Sequence, residues 1–194
     1  MAGFNGTGAR SGFPPATGLA DALTGRPVRR HTATGAFYVR KAGWEHFWAR
    51  ALDAAVFVAA YGVVALLLAA VRSAMFSSGV QLALNDTFFL VLHAVLWFVG
   101  LFIYGMIWGT AGSVGDAAGG MRSVRTKDGT TAGAWLGGWR AVCWSFFPFY
   151  VVVLVFSAFS GGGDSWDPQF VAIDLRSGVA QGQQPQPTVP ATVT

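Results

Sequence analysis

The chain has 194 residues, of which 53% are hydrophobic and only 11% are charged. Soluble domains carry about 25% charged residues, so this composition excludes an ordinary water-soluble domain and is typical of a membrane protein. The single cysteine, Cys143, excludes an intrachain disulfide, and the three histidines lack a spacing that suits metal ligation. The formal net charge of +4 comes from bases that are not gathered on one soluble module. We therefore expect no cofactor, no metal and no nucleic-acid partner.

Residues 1–40 are rich in Gly, Ala, Thr and Pro and contain no apolar run. We expect them to form an irregular basic arm that lies on anionic lipid headgroups, without a cleavable signal peptide. Residues 41–50 then place three aromatic residues among charges. This pattern is typical of a helix at the membrane interface.

Two apolar stretches predict membrane-spanning helices. Residues 54–71 hold 18 uncharged positions between Arg50 and Arg72, and residues 87–108 hold 22 positions without a formal charge. Each stretch is long enough to cross about 30 Å of hydrocarbon. A third apolar stretch, 141–159, contains a proline and either spans the bilayer or kinks and re-enters it.

The basic residues predict the orientation. Of the 13 Lys and Arg residues, seven lie in residues 1–50 and four in residues 109–140, whereas residues 73–86 have none. Positive residues concentrate in cytoplasmic segments, so the amino terminus is expected inside. Because Arg outnumbers Lys by 11 to 2, as is typical of high-GC bacteria, we expect a multi-pass protein of a bacterial plasma membrane. A complete third crossing would put the tail outside, whereas re-entry would leave it inside.

Arg50 and Asp53 are three residues apart and share one helix face near the cytoplasmic interface. A carboxylate within the bilayer costs on the order of 2.5–3.5 kcal/mol, so Asp53 should pair with a base or face protein. Two interpretations stay open. The pair is either a cation or proton site, or an ion pair that anchors the helix at one depth.

His93 lies on an aromatic face of the second predicted span. The other residues of this stripe are Trp97, Gly100, Tyr104 and Trp108. Such a stripe more often contacts a neighbouring helix than a substrate. His93 and Asp53 lie at different depths in the membrane, so they cannot form a direct proton relay. No nucleophile and base can be paired either, so the sequence does not predict an enzyme.

Residues 109–120 are rich in glycine but lack the Lys of a phosphate-binding loop, so nucleotide binding is not predicted. Gly105 and Gly109 form a small-xxx-small pair that permits close helix packing. Asp128 lies in a Lys-Asp-Gly turn, which we expect to connect residues 121–126 and 130–136 as a hairpin.

Several motifs resemble those of the RDD family of small membrane proteins. Residues 42–57, AGWEHFWARALDAAVF, look like the family's opening, in which an Arg starts the first helix and an Asp lies within it. Residues 109–129 resemble its G-x-T-x-G-K, G-l-R-V and acidic-Gly stretch, although Ser113 replaces the Lys. Arg140 resembles the family's Arg before the last hydrophobic segment.

The closing motif H-D-x-x-A-G-T resembles IDLRSGVA, residues 173–180, in which Asp174 matches the family's second Asp. The departures are Ile173, Ser177 and Val179. The resemblance covers about residues 41–182 and implies a polytopic membrane protein for which solute or ion transport has been suggested. The implied polar site comprises Arg50, Asp53 and Asp174, with Asp128, Arg140 and His93 as secondary candidates.

We therefore expect an all-α membrane protein with a basic arm at 1–40, a transmembrane domain at 41–180 and a low-complexity tail at 181–194. Two functions stay open. The first is transport of a solute or ion, which would require a homo-oligomer or a larger complex because three helices do not readily enclose a hydrated path. The second is an accessory or assembly subunit of a membrane complex, motivated by the aromatic stripe, the small residues and the long polar tails.

Overall fold

The computed structural model describes residues 16–77, 86–145 and 169–187. The helices are α1 (Gly43–Ser77), α2 (Asp86–Thr110), α3 (Val114–Gly119) and α4 (Ala134–Trp144). The strands are β1 (Ala16–Ala20), β2 (Pro27–Arg30), β3 (Phe37–Val39), β4 (Met121–Arg125), β5 (Phe170–Asp174) and β6 (Gln186–Pro187). The prediction of an all-α fold is wrong, because the helices are combined with two antiparallel sheets.

The helices α1 and α2 are long and apolar enough to cross a membrane, and they contain the two predicted spans. The 35 residues of α1 extend about 52 Å, well beyond the hydrocarbon thickness of about 30 Å. The interfacial helix expected at 41–50 and the first predicted span form one continuous helix, α1, which begins at Gly43. No residue is buried in the most apolar window of 18 consecutive residues in α1, so this part of the helix needs lipid or another apolar surface around it.

Residues 16–40, expected to be irregular, form three strands instead. The sheet has the order β3-β2-β1-β6. Its fourth strand, β6, comes from the predicted low-complexity tail and pairs with β1. The turns before β2 and β3 each contain a Thr-Gly pair whose glycine, Gly25 or Gly35, has a positive φ. Glycine adopts this conformation without steric penalty, which lets the chain reverse. The ten-residue spacing of these two pairs is the sequence signal for the sheet.

The second sheet pairs β4 with β5, placing Met121 opposite Asp174. The expected hairpin between residues 121–126 and 130–136 is wrong, because the partner of β4 comes from the C-terminal part of the chain. The sheets meet where Arg40 bridges to Ile173, around a core that includes Tyr38.

Both sheets lie at the end of the helix pair where α1 begins and α2 ends. Asp174 lies at this end as well, since it pairs with Met121. The third apolar stretch predicted from the sequence is 141–159. Residues 141–144 of that stretch belong to α4, and residues 146–159 lie outside the described residues.

Glycines set the contact between α2 and α4. A Cβ on Gly105 would collide with the Gly137 carbonyl, and a Cβ on Gly109 would collide with the Gly133 carbonyl. The order of these contacts makes α4 antiparallel to α2. The close packing predicted for Gly105 and Gly109 is confirmed, and the partner is a helix of the same chain.

We expect Gly109→Ala to lower the free energy of unfolding by about 1–3 kcal/mol, because the added methyl group overlaps backbone that cannot move independently. Gly62→Ala is the matched control, since a Cβ at Gly62 meets nothing within 4 Å. Chemical unfolding in detergent micelles measures both. Equal stability of the two variants would contradict glycine-dependent packing.

Asp21 connects the C-terminal turn to the first sheet. Its buried carboxylate accepts hydrogen bonds from the backbone N–H and hydroxyl of Thr24 at 2.8 and 2.7 Å, and from the Val179 N–H at 2.9 Å. Burial alone would raise the pKa of Asp21, but the hydrogen bonds from Thr24, Val179 and Gly178 outweigh burial and hold the pKa below its usual range.

We expect Asp21→Asn to destabilise the protein at neutral pH, and the difference from the unchanged chain to shrink in acid. A lowered folded-state pKa means that the carboxylate stabilises the fold above its unfolded pKa of about 3.9, and that this contribution is lost as the pH falls through the folded-state value. Thermal unfolding of both forms between about pH 7 and about pH 3 measures the difference. A difference that stays constant over this range would argue against the effect.

Candidate functional site

Arg50 and Asp53 pair as the sequence predicts, and a second carboxylate joins them. The guanidinium lies 2.8 Å from Asp53 Oδ2 and also binds Asp116 Oδ1. Asp53 and Asp116 are buried, and the Arg50 side chain is only 12% exposed. We call these three residues the acid–arginine cluster. Asp53 comes from α1 and Asp116 from α3, so the cluster connects the two helices.

The carboxylate of Asp53 is fully occupied. Its Oδ1 accepts hydrogen bonds from the Tyr104 hydroxyl at 2.7 Å and the Gly115 N–H at 2.6 Å. Its Oδ2 accepts from Arg50 and from the Ser113 hydroxyl at 2.8 Å. An ionised carboxylate offers about four lone-pair positions, and here each has a donor. All four positions are therefore used within the chain, which leaves no position for a cation.

Ser113 fixes the beginning of α3. Its hydroxyl accepts from the Asp116 N–H at 3.0 Å, and Asp116 Oδ2 accepts from the Ser113 N–H at 3.3 Å, which is a capping box. The same hydroxyl donates to Asp53. The residue that departs from the RDD pattern thus takes part in the cluster.

A close approach of α3 to α1 is required for these bonds. A Cβ on Gly115 would collide with the Ala49 carbonyl and come within 2.7 Å of Asp53 Oδ2. Only glycine at this position lets the N–H of Gly115 reach the carboxylate.

Trp108 contacts two arginines. The guanidinium carbons of Arg50 and Arg140 are 4.8 and 4.6 Å from the centre of its ring, and each contact is a cation–π arrangement. Trp108 is 8% exposed, and its Nε1–H has no hydrogen-bond partner among the described residues. The same is true of the Arg50 Nε–H within those ranges. These two buried N–H groups therefore lack an acceptor among the described residues, which is energetically unfavourable.

A groove of about 410 Å³ begins beside the cluster and lies between α1, α2 and the end of α4. Its surface is almost entirely apolar. The apolar lining from α1 and α2 comprises Ala51, Ala54, Phe57, Val58, Trp97 and Leu101. His46, Arg50, Asp53 and Trp108 line the end nearest the sheets. A largely apolar groove with a few polar groups at one end is the usual form of a site for a small ligand.

Asp174 does not join Arg50 and Asp53. Its Oδ2 lies 3.1 Å from Arg26 and 3.4 Å from Lys41, and its Oδ1 accepts from the Arg176 N–H at 2.9 Å. The predicted trio is therefore split into two clusters. Asp174 instead connects the C-terminal turn to the first sheet and to the residues that precede α1.

The secondary candidates have separate places. Asp128 accepts from the Thr130 N–H and hydroxyl at 2.9 and 2.7 Å and closes a surface turn. Arg140 covers the Phe170 ring at 3.8 Å and donates to the Ser123 hydroxyl at 3.3 Å.

His93 lies deep between the two long helices. Its Nδ1 is 2.9 Å from the Tyr61 hydroxyl of α1. Along the same stripe, Trp97 contacts both Phe57 and Tyr61 with ring centroids 5.0 and 4.9 Å apart. The prediction that the stripe packs against a neighbouring helix is confirmed. No bond joins His93 to Asp53, as expected from their depths.

Sequence reasoning missed Asp116 and the role of Tyr104. The Ser-x-x-Asp spacing of 113–116 is a capping-box pattern within the glycine-rich segment, and it could have identified α3 and its acid. Nothing local indicates that Tyr104 donates to Asp53, because the two residues are 51 positions apart.

No family model, curated protein or solved structure matches this chain. Its resemblance to the RDD family therefore stays a prediction. Within the ranges that the structure describes, no group of three or more His, Cys, Asp and Glu side chains is placed to hold a metal ion.

We expect Asp53→Asn to lower the free energy of unfolding by about 3 kcal/mol, because it leaves Arg50 without one partner and turns an amide towards buried donors. Asp86→Asn removes a carboxylate from an exposed pair with Arg72 and should change stability by less than about 1 kcal/mol. Chemical unfolding in detergent compares the two variants. A loss at Asp53 no larger than at Asp86 would show that the cluster is not structural.

Proposed function

We propose that this chain is an integral, non-catalytic membrane protein that binds an amphipathic solute in the groove between α1, α2 and α4. The observation that carries the proposal is the groove itself, with its apolar lining and a polar group of residues confined to one end. Such a division of surface matches a molecule with an apolar chain and a polar head.

The placement in a membrane is part of this proposal. Trp44, Phe47 and Trp48 are all more than half exposed in the first turns of α1, as expected of aromatic residues at the headgroup level. They lie at the same end as the sheets and as most of the basic residues. We place this end in the cytoplasm of a bacterial cell, so that the described C-terminal residues 169–187 are cytoplasmic as well.

The acid–arginine cluster supports a structural role better than ion transport. A permeating cation needs carboxylate oxygens that can exchange ligands, whereas Asp53 already accepts from four donors. If the chain is an RDD protein that takes part in transport, the groove is a more suitable place for the solute than Asp53. Asp174 contributes to neither the cluster nor the groove lining.

The structure supports the accessory-subunit hypothesis less than the sequence pattern does. Of its motives, the aromatic stripe packs on α1 and the small residues pack on α4, so both are used within the chain. Assembly into a homo-oligomer or a larger complex stays a prediction.

The proposal is tested by filling the groove. Ala54 and its neighbour Ala55 are both exposed, but only Ala54 lines the groove. A neutral monoacylglycerol is added to the purified, delipidated protein. We expect native mass spectrometry to show that the protein retains one molecule of it. Ala54→Phe should weaken this retention about tenfold, a difference of about 1.4 kcal/mol, and Ala55→Phe should leave it unchanged.

Thermal unfolding of each variant shows that the fold is retained. Equal weakening by both substitutions, or no retention by the unchanged chain, would contradict solute binding in the groove.

A further inference from the structure

The two ends of the groove differ in chemistry. Away from the sheets it is lined by side chains such as Phe57, Val58 and Trp97, which offer no charged group. Towards the sheets it is lined by His46, Arg50 and Asp53. The charges of Arg50, Arg40 and Arg140 each act on His46 more strongly than the opposite charge of Asp53. Positive charge therefore exceeds negative charge at the end of the groove nearest the sheets.

The same end offers hydrogen-bond donors. The Nε1–H of Trp108 and the Nε–H of Arg50 are buried, and neither has an acceptor among the residues that the structure describes. Trp108 is more than nine-tenths buried and lines the groove. Oxygen atoms of a headgroup are the acceptors that such donors require, and negative charge on these oxygens makes the bonds stronger.

The groove is open along its side. Phe47 is 52% exposed and Val58 is 55% exposed, although both line it. In a bilayer this side faces lipid, so an acyl chain can enter laterally without leaving the hydrocarbon. A free inorganic anion has no apolar surface, so it would gain nothing from the long apolar part of the groove.

Resting on the proposed function, we infer that the solute is an anionic phospholipid, with an acyl chain in the groove and its phosphate near His46, Arg40 and Arg140. Basic pockets beside membrane helices on the cytoplasmic side are suited to such headgroups. The exposed aromatic residues at the start of α1 hold this end of the groove at the depth where lipid phosphates lie.

The test uses the full chain in a non-ionic detergent, with phosphatidylglycerol and phosphatidylcholine that have identical acyl chains. We expect native mass spectrometry to show about tenfold stronger retention of phosphatidylglycerol. Arg40→Gln should reduce retention of phosphatidylglycerol about fivefold and that of phosphatidylcholine by less, because the choline cation offsets the charge of its phosphate. Arg72→Gln is the matched control, because Arg72 is an exposed base at the opposite end of α1. Arg72→Gln should change the retention of neither phospholipid.

Trp108→Phe keeps an aromatic side chain but removes the N–H, so it should weaken phosphatidylglycerol retention while the thermal midpoint shows an intact fold. Equal retention of the two phospholipids by the unchanged chain would overturn the headgroup inference, and the proposed function would stand if Ala54→Phe still weakened both. An equal effect of Arg40→Gln and Arg72→Gln would also overturn it. Retention of neither phospholipid nor monoacylglycerol would overturn the proposed function itself.

Discussion

The structure depends on the buried Asp53 carboxylate at the point where the apolar helices meet the polar end of the molecule. A buried carboxylate is stable only if its charge and lone pairs are satisfied. The four donors come from three sections of chain: Arg50 on α1, Tyr104 on α2, and the residues Ser113 and Gly115 around the start of α3. This requirement fixes how α1, α2 and α3 lie together, and so it also fixes one end of the groove.

The buried carboxylates of this chain therefore do not form the single polar site expected for a transporter. Asp53 and Asp174 occupy separate clusters, one connecting helices and the other connecting the C-terminal turn to the first sheet. Asp53 lines the groove, but each of its lone-pair positions already has a donor. The rest of the groove is almost entirely apolar and lies between two helices with exposed apolar faces, so it suits an apolar or amphipathic molecule better than an ion.

Local pattern was sufficient for the features that depend on neighbours along the chain. The uncharged stretches predicted α1 and α2 correctly, because the number of consecutive apolar residues sets how long an apolar helix can be. The spacing of Arg50 and Asp53 predicted their pairing, since residues three apart share a helix face. The stripe that contains His93 and Trp97 was correctly predicted to pack on another helix for the same reason.

The sequence by itself thus determined the apolar helices, the helix-face pairs and the glycines that allow close packing. Only the tertiary structure decided that residues 170–174 pair with β4, that Asp116 joins Arg50 from 66 positions away, and that Asp174 belongs to another cluster. These contacts join segments that lie far apart in sequence, and short strands such as β5 carry no local signal for their partner. The position of a distant donor depends on how whole elements pack, and that packing is a property of the fold rather than of any local spacing.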